Sequence, residues 1–98
     1  MENCPCAKKK ERPPEELRGL LNRLSRIEGQ IRGLRGMLER EAYCTDILTQ
    51  SAAATAAINA FNRDLLASHI RSCVVSDIRA GKDEVVDELV LTLQKLMK

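Results

Sequence analysis

Apolar residues recur along most of this chain at alternating steps of three and four, and sustained strand-like alternation is absent. From Glu15 to about Glu41, Leu17, Leu20, Leu24, Ile27, Ile31, Leu34 and Leu38 form one stripe, the signature of an amphipathic helix packed along a seam. Pro13 and Pro14 stand at its start, where a proline costs no helical hydrogen bond, and Glu15 and Glu16 complement the helix dipole. A second run extends from about Tyr43 to Ala80. It carries Ile47, Leu48, Ile58, Phe61, Leu65, Leu66, Ile70, Val74 and Ile78, is Ala-rich over 52–57, and meets no Pro or Gly before Gly81. Gly81, Lys82 and Asp83 read as a turn. The last run, Glu84 to Lys98, sets Val86, Leu89, Leu93 and Leu96 on one face. The pattern predicts an all-α protomer of three unequal helices. Residues 15–98 read as a single helical domain behind a flexible basic tail, residues 1–14.

The middle helix is too long for a monomer. Some 38 residues at 1.5 Å each span roughly 57 Å, whereas a compact chain of this size has a radius of gyration of about 13 Å. The helix is apolar along its length, so a partner chain must cover it, and a second copy is the economical choice.

Three potential metal ligands lie on that helix. At about 100° per residue, His69 and Cys73 fall roughly 20° to either side of Cys44, so all three share one stripe. His69 and Cys73 are four apart and can reach one ion, but Cys44 lies about 37 Å away along the axis. An antiparallel dimer with its two-fold axis near residues 57–58 brings Cys44 of one protomer to the other's His69 and Cys73. The alanines of 52–57 then fall at the crossing. Two thiolates and an imidazole make a soft set that favours Cu(I). Zn(II) prefers four ligands, and the stripe offers no obvious fourth. A lone Cys on an apolar helix is more often a small buried hydrophobe; the shared stripe and the symmetry favour ligation.

Composition narrows the setting. The chain has 98 residues, 2% aromatics and a net charge of +2, so stacking of bases on aromatic side chains is a poor candidate for its chemistry. Residues 1–36 hold nine Lys/Arg against five Asp/Glu, and residues 37–98 hold seven against nine. The basic part suits phosphates. No membrane span and no signal-type apolar segment is evident, which predicts a cytoplasmic protein with reduced thiols. No nucleophile with a matching base emerges, so an enzyme is not expected.

The segments NRLSRIEGQIRGLRGML (Asn22–Leu38), YCTDILTQ (Tyr43–Gln50) and LLASHIRSCV (Leu65–Val74) resemble the copper-sensitive operon repressor (CsoR) family. The likeness covers roughly residues 17–97, and the Cys-x24-His-x3-Cys spacing is specific. It implies a three-helix protomer, an antiparallel dimer and a dimer-of-dimers tetramer. It further implies operator DNA bound without a helix-turn-helix and released when Cu(I) bridges protomers. On this resemblance Cys44, His69 and Cys73 are the ligands, Tyr43 precedes the first of them, and Glu88 is the partner of the ligand His. Nickel and cobalt members typically put His at the last ligand position and add an N-terminal His; here the last position is Cys73 and the tail has no His. Ser51 departs from the family's usual apolar residue after the LTQ segment, and Cys4 and Cys6 are additional. They fit an accessory copper ligand, a transfer point from a metallochaperone, a redox handle, or simply two thiols in an unstructured tail.

On the first helix Arg18, Arg26 and Arg32 fall opposite the Leu/Ile seam, with small residues between them and Arg23 at the flank. Glu28 is the only acid between Leu17 and Met37, which fits phosphate contacts better than an ordinary solvated face. The family likeness also favours Arg23. One rival keeps the fold and changes the chemistry: a persulfide or redox sensor in which Cys44 and Cys73 are joined across the dimer. His69 tells them apart, since a thiol switch does not need an imidazole. A copper buffer without DNA binding is the other rival.

Overall fold

The computed structural model describes residues 12–97, and Cys4 and Cys6 lie outside the described residues. Every regular element among those residues is helical: α1 (Pro14–Glu39), α2 (Cys44–His69), a π-helical turn (Ile70–Val74), α3 (Val75–Arg79) and α4 (Glu84–Leu96). The all-α class expected from the apolar period is what folds.

Two compact units are distinguished, one of residues Arg12–Leu65 and one that takes in the chain from Leu66. In the first, α1 opens with the Leu17 N–H donating to the Pro13 carbonyl at 3.0 Å, and Pro14 sits inside the first turn, where its missing N–H is not needed. The helix stops two residues before the expected Glu41, through a Schellman turn. The Ala42 N–H donates to the Met37 carbonyl at 2.9 Å and the Glu41 N–H to the Leu38 carbonyl at 3.1 Å, with Glu41 at φ 57°. This closure satisfies carbonyls that the helix end would leave unpaired. Ile27 and Ala54 are the buried apolar residues of this unit.

The second unit departs from the sequence reading. One uninterrupted α-helix was expected up to Ala80, and instead the turn Ile70–Val74 is π-helical, with the Val75 N–H reaching back five residues to the Ile70 carbonyl. Within this turn the Ser72 hydroxyl donates to the Ser68 carbonyl at 2.8 Å, a back-bond to position i−4 that Thr49, Thr55 and Thr92 also make within regular α-helix. Helix α3 ends as α1 does, but with glycine in the left-handed position. Gly81 has φ 84°, and the Lys82 N–H donates to the Asp77 carbonyl at 2.8 Å. Cys73, Val74, Asp77 and Val85 are buried here.

The seam of α1 is mostly uncovered. Ile27 is 7% exposed, but Leu17, Leu24, Ile31 and Leu38 are exposed, Leu38 at 69%. The apolar faces of α2 and α4 show the same at Leu48, Ile58, Val86, Val90 and Leu91.

Candidate metal centre and arginine face

Two of the three predicted ligands stand at the ends of α2. Cys44 is the first residue of α2 and His69 the last. Tyr43 precedes Cys44 and caps the helix through its carbonyl, which accepts from the Asp46 and Ile47 N–H groups at 3.0 and 3.1 Å; its side chain is exposed. Cys44 and His69 thus stand twenty-five residues apart in the chain, at opposite ends of α2. Among the described residues no three His, Cys, Asp or Glu side chains of one chain gather around a common point.

His69 and Cys73 form the local pair. His69 is the N-cap of the π-helical turn, and Cys73 lies within it. Four α-helical residues overshoot a full turn by about 40°, and the wider π turn removes part of that overshoot. The two positions therefore come closer to one line along the helix than four residues of regular α-helix would set them. Cys73 is 1% exposed, whereas Cys44 is exposed. The Ser72 hydroxyl also lies 3.8 Å from Cys73 Sγ; its single proton serves one acceptor at a time, and the shorter bond to Ser68 is the stronger. Glu88 is an exposed residue of α4, and its carbonyl accepts the Thr92 hydroxyl at 3.0 Å. Asp77, one turn beyond Cys73, is buried. Sequence reasoning had not singled it out, because an acid on the flank of an apolar stripe reads as solvated.

The donor set fits a soft monovalent ion. Sulfur from two cysteines with one imidazole nitrogen suits Cu(I), which accepts few, soft ligands. The buried setting of Cys73 suits such a ligand, since a dry shell limits solvent access to the bound ion.

On α1, Arg18, Arg26 and Arg32 are exposed, as expected for a face turned from the seam. Arg23 is half-buried, and its Nη2 lies 2.9 Å from Asp64 Oδ2 on α2. Arg23 and Arg26 border a groove of about 440 Å³ together with Ile27, Gly29, Gly33 and Ala57. The arginine face is thus continuous with a concave surface. Asp64 was not singled out from the sequence, since nothing local to it signals a partner forty-one residues earlier in the chain.

Helices throughout the described residues, candidate soft donors on α2 and in the π-helical turn, and an exposed row of arginines place the chain in the class of small all-helical metal-responsive regulators. Residues 16–95 match the family described as metal-sensitive transcriptional repressor, and the chain belongs to that family. It is 41% identical over 80 residues, 81% of this chain and 79% of the relative, to the copper-sensing transcriptional repressor CsoR of Bacillus subtilis. It is 42% identical over 59 residues, 60% of this chain and 62% of the relative, to the copper-sensing transcriptional repressor RicR of Mycobacterium tuberculosis. The crystal structure of the copper-sensing repressor CsoR with Cu(I) from Geobacillus thermodenitrificans superposes with a TM-score of 0.86 at 39% identity, covering 91% of this chain and 94% of that one. The nickel-responsive transcriptional regulator InrS follows the same fold, with a TM-score of 0.72 at 33% identity over 88% of this chain and 98% of that one. Repression, rather than catalysis, is the family's activity.

Proposed function

We propose that this chain is a Cu(I)-responsive repressor of the cytoplasm that holds operator DNA in its metal-free form and releases it when Cu(I) binds. The placement of His69 at the start of the π-helical turn that buries the thiol of Cys73 carries this reading. Support comes also from the names of the relatives, copper-sensing repressors among them. The ligands are His69 and Cys73 of one protomer and Cys44 of the partner subunit, because Cys44 and His69 close opposite ends of one helix. The exposed Leu and Ile residues of α1 and α2 supply the surface for an antiparallel dimer, and a dimer of dimers would cover the rest.

Arg18, Arg23, Arg26 and Arg32 are the proposed phosphate contacts. Such contacts set register and affinity, and base sequence is read partly through DNA shape. Metal and DNA then oppose one another by linkage: whatever factor Cu(I) takes from DNA affinity, DNA takes from Cu(I) affinity, typically about 1–3 kcal/mol. The chain's own relay starts at His69. With one ring nitrogen given to a metal, the other donates to a second acceptor, for which Glu88 on α4 and Tyr43 are the candidates. No helix among the described residues is long and apolar enough to cross a membrane.

The deciding measurement is anaerobic titration of the reduced protein with Cu(I), Ni(II) or inorganic polysulfide while following binding to a duplex from its own promoter. Release by stoichiometric Cu(I), lost in Cys44→Ala and Cys73→Ala, is the expected result. Release by polysulfide alone would reassign the same fold to sulfur sensing through Cys44 and Cys73, and release by Ni(II) alone would reassign the metal.

A further inference from the structure

Arg23 and Asp64 join two helices. Arg23 lies on α1 and Asp64 on α2, with Nη2 and Oδ2 2.9 Å apart and side chains 36% and 54% exposed. The other ion pairs described, Arg12–Glu16 and Arg35–Glu39, join residues four apart. We infer that Asp64 is a built-in competitor for Arg23: it holds the guanidinium in the DNA-free protein and gives way to a backbone phosphate. This rests on the proposed role of Arg23 in DNA binding.

The chemistry is one of like ligands. Carboxylate and phosphate oxygens engage the same fork of guanidinium N–H donors, so each takes donors from the other. The exposure of the pair decides what Asp64 can do. A buried carboxylate left unpaired would be strongly unfavourable and would fix Arg23 permanently. One that is half exposed returns to water at little cost, and ion pairs so exposed are weak. A phosphate can therefore displace Asp64, and the exposed Arg26, three residues along α1, offers it a second guanidinium.

Two consequences follow. Affinity is set below what the arginine face would reach with Arg23 unengaged. The salt dependence is also shallower than a count of arginines suggests, because Asp64, once displaced, takes up cations that phosphate neutralisation sets free. Asp64 further belongs to the helix whose ends carry Cys44 and His69, so its hold on Arg23 is a point where the state of α2 reaches the arginine face.

The test is anisotropy of a labelled duplex from the protein's own promoter across a salt series, with wild type, Asp64→Asn, Asp64→Glu, Arg23→Ala and the Arg23→Ala/Asp64→Asn double variant. Circular dichroism checks the fold of each. Asp64→Asn is expected to bind about two- to fivefold tighter, the range of a weak surface ion pair, with a log–log salt slope steeper by up to about 0.9 for each protomer engaged. Asp64→Glu keeps the charge and should follow wild type, and the gain should vanish when Arg23 is absent. If Arg23→Ala weakens binding but Asp64→Asn does not tighten it, Asp64 merely positions Arg23 and the competitor role is overturned, with the arginine face intact. A gain that persists in the double variant is a general charge effect and also overturns it. If Arg23→Ala binds as wild type does, the DNA-binding role of Arg23 fails as well, and both readings fall together.

Discussion

Glu41 occupies the same left-handed position after α1 that Gly81 occupies after α3, with φ values of 57° and 84°. Both turns close by the same pair of backbone hydrogen bonds. Only one has the residue that the conformation favours. A Cβ at Gly81 meets nothing within 4 Å, so Gly81→Ala suffers from backbone strain alone, about 1 kcal/mol. Glu41→Gly relieves similar strain, offset in part by the greater freedom of glycine in the unfolded chain, for a net gain of about 0.5 kcal/mol. Thermal unfolding of the two variants should move in opposite directions. Equal shifts of one sign would show that the turns are not set by backbone conformation.

The proposed metal site predicts complementation between protomers. Cys44→Ala and the His69→Ala/Cys73→Ala double variant should each bind Cu(I) poorly as homodimers. After subunit exchange, a heterodimer assembled from the two should recover one intact site. Stoichiometry of Cu(I) bound against a competing chelator measures this. A mixture no better than its separate components would rule out sharing of ligands between chains.

Binding and release should separate at His69. Two thiolates can hold Cu(I) without the imidazole, so His69→Ala should retain measurable though weaker affinity. What it loses is the ring nitrogen proposed to pass the signal on, and the variant should stay on DNA when copper is added. Glu88→Ala, with all ligands in place, should show a milder loss of release. Duplex binding against added Cu(I) under anaerobic conditions reads both. Full release by His69→Ala would remove the imidazole from the route.

The uncovered seam of α1 predicts stability that depends on protein concentration, as expected when a partner covers it. Ile31→Lys is a direct probe. The residue is exposed in the single chain, so the substitution loses little within a protomer, but in an assembly it would bury an unpaired charge. Sedimentation should show smaller species, with a lower unfolding temperature at equal concentration. Unaltered assembly would place the interface elsewhere.

Most of the fold was legible because helices announce themselves by period. The Leu/Ile stripe of α1 and the Gly81 turn reappear close to where the pattern set them. The π-helical turn was not legible. No Gly or Pro marks it, and the serine hydroxyl that bonds back four residues there has counterparts at Thr49, Thr55 and Thr92 where the helix stays regular. The candidate ligands could be chosen by type and spacing. The burial of Cys73 next to an exposed Ser72 could not, since it depends on packing in the unit that begins at Leu66. Asp64 was invisible for a related reason: ion pairs between helices leave no periodic trace.

The π-helical turn also makes the chain's tolerance of length changes uneven. A bond spanning five residues encloses one residue more than an α-helical bond does. Residues 70–74 therefore hold a surplus residue, and everything after them faces where a chain one shorter would point without the bulge. Losing one residue inside that turn can be absorbed by reversion to plain α-helix, with α3 left in phase. Losing one between Cys44 and His69 has no such slack and swings the remainder of the helix by about 100°, taking His69 and Cys73 off their stripe while leaving every residue of the motif present.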